Sequence, residues 1–209
     1  MSTPFTIAEK LLDAGAVKLS PNKPYKWASG WNSPIYCDNR KLLSFPDARD
    51  IVKKALCKTI LKEMNGVELI AGVATAGIPW GALVADRLKL PYIYVRPKPK
   101  EHGLGNQIEG VFQNKARVVI IEDLISTGKS SLDACRVLLN EKLQLLGVIS
   151  IFNYGFPQAI EAFAKEDIPF YSLSNYQVMI DRALDRELVT EPQIKKLLKW
   201  QSDPANWRK

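Results

Sequence analysis

The sequence predicts an α/β fold with a central parallel sheet flanked by helices. Val118–Ile121 is a run of four aliphatic residues, the pattern of a parallel strand buried on both faces. From Glu68 onward, short apolar runs alternate with segments of helical periodicity, which implies right-handed βαβ crossovers. The segment Glu122–Ser130 then sets a Gly- and hydroxyl-rich turn between strand and helix, where open parallel sheets bind ligands.

In chain order, Thr6–Ala16 has apolar residues at helical spacing and is expected to be a helix. Ser20–Asn39 carries Pro21, Pro24, Gly30 and Pro34 among Tyr25, Trp27, Trp31 and Tyr36, an irregular or β-rich aromatic segment. Its Trp27, Trp31 and Tyr36 are expected to pack rather than to stack on a ligand. Pro46–Met64 reads as a helix, Glu68–Val73 as a strand, Gly77–Leu90 as a helix and Tyr92–Val95 as a strand. Arg96–Gly110 is a polar stretch rich in Lys and Gly, too long for a plain connector, and is expected to be a functional mobile loop. After Val118–Ile121 come a helix at Ser130–Glu141, a strand at Leu146–Phe152, a helix at Gln158–Lys165 and a strand at Phe170–Leu173. Helical pieces at Tyr176–Glu187 and Glu191–Trp200 follow, with Lys195, Lys196, Lys199, Arg208 and Lys209 as a solvated face.

The 209 residues fit one domain better than two, at ~150 residues per domain. Hydrophobic residues at 46% and charged residues at 24% exclude wholesale disorder. The net charge of +7 suits an anionic ligand or nucleic acid without choosing between them. Cys37, Cys57 and Cys135 are far apart and form no CxxC pair, which argues for reduced thiols and against structural zinc. MSTPFTIAEK shows no basic region followed by an apolar run, and no apolar stretch approaches the ~18 residues that span a bilayer. A soluble, cytoplasmic protein without a membrane partner is expected.

Arg117–Ser130, RVVIIEDLISTGKS, carries the chemistry. Ser126, Thr127, Gly128, Lys129 and Ser130 lead into a helix N-terminus, whose backbone N–H groups and dipole would cradle a phosphate. Glu122 and Asp123 would repel phosphate, so they suit sugar hydroxyls or a hydrated cation. A phosphorylated ribose satisfies both halves. The plainer alternative is an N-capping turn with two solvated acids. Gly128-Lys129-Ser130 ends like a P-loop, but that motif needs glycine where Asp123 stands. Gly103-Leu104-Gly105 begins a dinucleotide fingerprint, but Ile108 occupies the third glycine position.

EDLISTGKS resembles the phosphoribosyl pyrophosphate signature of type I phosphoribosyltransferases, with Glu122 in place of the commoner Asp. SGWNSPIYCDNR (Ser29–Arg40) and YVRPKPKEHGLGNQIEG (Tyr94–Gly110) resemble the N-terminal segment and the mobile loop of the orotate phosphoribosyltransferase family. GVATAGIPWGA (Gly72–Ala82) stands where that family places its pyrophosphate loop, and the resemblance spans about residues 5–175. It implies a type I phosphoribosyltransferase fold over a single domain, 1–209, with a small hood at about 1–45 and a mobile catalytic loop at about 96–110.

The implied reaction joins orotate N1 to phosphoribosyl pyrophosphate, giving orotidine 5′-phosphate and pyrophosphate for UMP synthesis. The resemblance implies that Lys100, His102 and Asp123 are catalytic and that Arg96, Lys100 and His102 close on the pyrophosphate. It assigns Glu122, Asp123, Leu124, Ile125, Ser126, Thr127, Gly128, Lys129 and Ser130 to the ribose phosphate, with Ser126 also touching orotate, and Thr75 to the pyrophosphate loop. Mg²⁺ would bind through substrate near Glu122 and Asp123, with no direct protein ligand. The lid would cover a neighbouring subunit's site, which implies a homodimer.

Four positions depart from the family pattern: Thr75-Ala76 replaces Tyr-Lys, Ala28 replaces Lys, Pro97 replaces a second Lys, and Asn153-Tyr154 replaces Asp-Arg. Other cations are expected to take over, with Arg40 the nearest candidate for the orotate carboxylate and a salt bridge to Asp38 as its alternative. Two rival functions remain at this point. One is transfer to a purine. The other is a non-catalytic phosphoribosyl pyrophosphate sensor acting on nucleic acid, although no helix-turn-helix is evident.

Overall fold

The computed structural model describes residues 2–27, 29–99 and 106–207. The chain opens with helix α1 (Thr3–Asp13). Pro4 sits in its first turn, where a missing N–H breaks no intrahelical bond. That turn is why the helix starts earlier than Thr6. Four short strands follow: β1 (Val17–Leu19), β2 (Tyr25–Lys26), β3 (Asn32–Ser33) and β4 (Ile35–Cys37). They form two antiparallel ladders, β1 with β4 and β2 with β3. A 3-10 helix, Asn39–Ser44, leads into helix α2 (Pro46–Glu63).

The α/β order then begins with β5 (Leu69–Val73), α3 (Gly77–Leu88), β6 (Tyr92–Val95) and β7 (Ile108–Glu109). It continues through β8 (Arg117–Ile125), α4 (Lys129–Asn140), β9 (Gln144–Asn153), α5 (Pro157–Lys165) and β10 (Phe170–Asn175). Helices α6 (Tyr176–Asp185) and α7 (Glu191–Ser202) follow. Six strands form one sheet in the order β10-β9-β8-β5-β6-β7. All ladders are parallel except β6 with β7.

The strand alternation divides the core between the two sheet faces. Val119 and Ile121 of β8 join Trp80 and Val84 of α3 and Leu56 of α2 on one face. Val118 and Ile120 join Leu132, Cys135 and Leu138 of α4 and Phe163 of α5 on the other. Val17 and Ile35 of the hood belong to the first of these clusters, together with Trp200 of α7.

Two expectations need correction. The strand expected to end before Glu122 continues to Ile125, because β9 keeps pairing after β5 has stopped: Glu122 lies opposite Ser150 and Ile125 opposite Asn153. The loop expected over Arg96–Gly110 is shorter, because Ile108 and Glu109 return along Val95 and Tyr94 as an antiparallel edge strand.

Candidate active site

The sheet order fixes where a ligand can enter. From β5 the chain moves outward to β6, then crosses back to place β8 on the other side of β5 and continues to β9 and β10. The reversal makes a switch point between the carboxyl ends of β5 and β8, where open α/β sheets bind ligands. The β5–β8 ladder ends at Gly72 and Ile121, so Glu122 and Asp123 lie beside the exit of β5.

The turn after β5 closes down on those acids. A Cβ at Gly77 would stand 2.4 Å from the Ile121 carbonyl oxygen, so the start of α3 can approach β8 this closely only with glycine there. Thr75 and Ala76 are thereby brought to the acidic end of β8. The Ala74–Thr75 peptide bond is cis.

Glu122 is only 5% exposed and is not a solvated acid. It accepts hydrogen bonds from Ser131 Oγ at 3.2 Å and from the Asp123 backbone N–H at 3.0 Å. Burial pushes its carboxyl well above the ordinary range, and the adjacent Asp123 charge pushes it further. Burial raises Asp123 as well, against the opposing pull of a hydrogen bond from Glu122 and the field of Arg40. Two carboxyls in this setting do not both ionise readily. The charged form is disfavoured at both, most strongly at the more deeply buried Glu122. Asn39 Nδ2 donates to the Asp123 carbonyl oxygen at 2.7 Å and ties the hood's 3-10 helix to this strand end.

Beyond Ile125 the chain turns through Ser126, Thr127 and Gly128 into α4. Gly128 is the N-cap, at φ +80°, and offers no side chain to the first-turn N–H groups. Those donors therefore remain available to an anion. A Cβ at Gly128 would meet the Phe163 ring at 2.9 Å, so glycine is required by both conformation and space. The Lys129 ammonium is exposed and paired with Asp133 at 2.9 Å.

Two clefts open from this segment. One, of about 420 Å³, is lined by Val73, Ala74, Arg96, Thr127, Lys129 and Ser130 among others, joining the turn after β5 to the phosphate turn. Arg96 reaches Glu109 at 3.4 Å, and its backbone is clamped from both sides by Gln107. The other, of about 350 Å³, opens toward the hood between Lys26, Trp27, Ser29, Tyr36, Cys37, Leu124, Ser126 and Tyr154. Burial raises the Cys37 thiol, with the Asp123 charge adding to it, and the thiol donates to Asn39 Oδ1 at 3.1 Å.

The structure thus brings Thr75, Arg96 and the segment Glu122–Ser130 to the carboxyl end of the sheet, with the Ile125 side chain buried in the core beside α4 and α5. Arg40 Nε bonds Asp38 at 2.6 Å, the pairing named as its alternative, and Arg40 is not among the described residues that line the hood cleft. Lys100 and His102 lie outside the described residues, as does Ala28. Trp27 and Trp31 pack in a cluster with Tyr154, Phe156 and Trp200, and Trp27 together with Tyr36, which is 42% exposed, also lines the cleft. Tyr154, where the family pattern has Arg, is buried in that cluster, 5.3 Å from the Phe156 ring and nearly parallel to it. Sequence reasoning missed Lys26, Cys37 and Asn39. Lys26 stood in plain view two residues before Ala28, but only the folded hood shows where it leads.

The chain matches the Phosphoribosyl transferase domain family over residues 40–156. It is 52% identical over 200 residues to the orotate phosphoribosyltransferase of Bacillus subtilis, covering 96% of this chain and 93% of that one. It is 48% identical over 200 residues to the orotate phosphoribosyltransferase of Phocaeicola vulgatus, covering 96% of this chain and 94% of that one. The crystal structure of orotate phosphoribosyltransferase from Aeropyrum pernix superposes with a TM-score of 0.76 at 28% identity, covering 84% of this chain and 97% of that one.

Proposed function

The chain belongs to the orotate phosphoribosyltransferase family, and from that premise we infer how its own residues divide the work of phosphoribosyl transfer. The enzyme moves 5-phosphoribosyl from phosphoribosyl pyrophosphate to orotate N1, giving orotidine 5′-phosphate and pyrophosphate in pyrimidine synthesis. The observation that carries the assignment of roles is the acid pair at the switch point, set between the turn after β5 and the hydroxyl-rich turn before α4.

In this reading the 5-phosphate sits on Ser126–Ser130 and takes the uncapped N–H groups of α4. The ribose hydroxyls meet Asp123, whose negative charge offsets the cationic character that the anomeric carbon gains as pyrophosphate leaves. Glu122, buried and hydrogen-bonded, holds Asp123 in place. Pyrophosphate occupies the cleft beside Ala74, Thr75 and Arg96, and the base occupies the hood cleft beside Ser126. Nucleophile and leaving group then approach the anomeric carbon from different clefts, which suits displacement with inversion.

Mg²⁺ fits this arrangement as a partner of the substrate. Among the described residues no group of three or more His, Cys, Asp or Glu is placed to hold a metal. The Asp123 carboxylate would suit a hard cation shared with substrate oxygens, with the hydrogen-bonded Glu122 beside it. When bound, the ion supplies positive charge to the diphosphate.

Lys100 and His102 complete the lid from a partner subunit, in a homodimer. A Lys and an Arg in this loop suit the charge of pyrophosphate. The shared core of hood and sheet supports one domain over 1–209. Among the described residues no helix is long and apolar enough to cross a membrane. Free thiols at Cys37, Cys57 and Cys135 favour a cytoplasmic setting.

The test is direct. Orotate absorbance should fall only when phosphoribosyl pyrophosphate and Mg²⁺ are both present, with one pyrophosphate released per orotate consumed. Orotate left unconsumed by folded protein under these conditions would refute the assignment.

A further inference from the structure

The hood cleft has largely apolar walls, two hydroxyls at Ser29 and Ser126, and a single charge. Trp27, Tyr36, Cys37, Leu124 and Tyr154 present rings, a thiol and an aliphatic side chain. Lys26 is the one charged side chain among the described residues that line it. It ends β2, in register with Asn32, on a segment that is firmly held. The next residue, Trp27, donates its indole N–H to the Ile35 carbonyl oxygen at 3.2 Å and its ring lies 5.2 Å from that of Tyr154. The backbone at Lys26 is therefore pinned, while its side chain remains exposed at the cleft.

Orotate is a flat pyrimidine that carries a carboxylate. Aromatic and aliphatic walls suit its ring, but a carboxylate taken out of water needs a charged or hydrogen-bonding partner. The other cations nearby are engaged. Arg40 bonds Asp38 at 2.6 Å and directs its field at Asp123, and Lys129 pairs with Asp133 at 2.9 Å on the other side of the phosphate turn. We propose that Lys26 is the specificity residue of this enzyme, pairing its ammonium with the carboxylate of orotate at the mouth of the hood cleft. The assignment rests on the reading of the chain as an orotate-using transferase. It extends that reading by naming the group that distinguishes orotate from uracil, the same ring without the carboxylate.

Wild type, Lys26→Ala, Lys26→Arg and Arg40→Ala should be compared in steady state with orotate and with uracil. Lys26→Ala is expected to raise the KM for orotate by about tenfold or more, the range of a lost charge-assisted hydrogen bond. Its KM for phosphoribosyl pyrophosphate should stay near wild type, and its preference for orotate over uracil should fall by a similar factor. Lys26→Arg should retain most of that preference. An unchanged orotate KM in Lys26→Ala, beside an active wild type, would overturn the assignment. So would an equal loss with both bases, which would mean lost cleft shape rather than lost charge pairing. A large rise in orotate KM confined to Arg40→Ala would move the carboxylate to that residue. Wild type inactive with orotate would refute the functional reading itself, an outcome distinct from any difference among the variants.

Discussion

Asp123→Asn should lower kcat by about a hundredfold to a thousandfold, the range seen when one preorganised group facing transition-state charge is removed. The substitution keeps size and a hydrogen-bonding oxygen and removes only charge. The backbone carbonyl that Asn39 binds is untouched, so the fold and the hood attachment should survive. Glu122→Gln makes the informative contrast. Burial disfavours the charged form of its carboxyl, and an amide in its place can still accept from the Asp123 N–H and face Ser131. Its loss should be much smaller, about tenfold or less on the scale of a single neutral hydrogen bond. Steady-state kinetics on both variants, with circular dichroism to verify folding, decide the matter. Near-normal kcat in Asp123→Asn with normal donor affinity would leave that acid without a catalytic role.

The second large effect concerns the lid. Lys100→Ala should lower kcat more than it weakens ground-state binding, because its ammonium meets charge that grows on departing pyrophosphate. Each tenfold loss corresponds to ~1.4 kcal/mol of barrier. A variant altered only in KM would place Lys100 in uniform binding instead. The same variant tests whether the lid serves the partner's site. Mixed with Asp123→Asn protein, half of the randomly exchanged dimers would be hybrids, each with one intact site and one doubly defective site. Activity should then recover to about a quarter of wild type if the sites are independent. No recovery after verified subunit exchange would mean that each lid closes over its own subunit.

How far these residues could be read without coordinates depends on the range of the forces that place them. The strand at Val118–Ile121 and the turn that starts at Ser126 are local patterns, the first found within β8 and the second ending at the Gly128 N-cap of α4. The continuation of β8 to Ile125 is set by its partner β9, which no periodicity in β8 itself reveals. Ile108–Glu109 is too short to read as a strand, and its ladder with Val95 and Tyr94 comes from the neighbouring edge. The hood cleft is harder still. It exists because residues near position 30 fold over the end of a strand near position 124, a contact anchored by Asn39 and Asp123, 84 residues apart. Lys26 gains a role only through that closure. Tyr154, by contrast, marks where a charged family position has become part of an aromatic cluster with Trp27, Phe156 and Trp200.

The central claim is that this end of the sheet hands a ribosyl cation to one particular base. Offering orotate, uracil, hypoxanthine and adenine together, at equal concentration, with limiting phosphoribosyl pyrophosphate and Mg²⁺, and separating the nucleotides formed, tests it most directly. Orotidine 5′-phosphate should account for nearly all of the donor consumed. A predominant nucleotide of any other base would contradict the account.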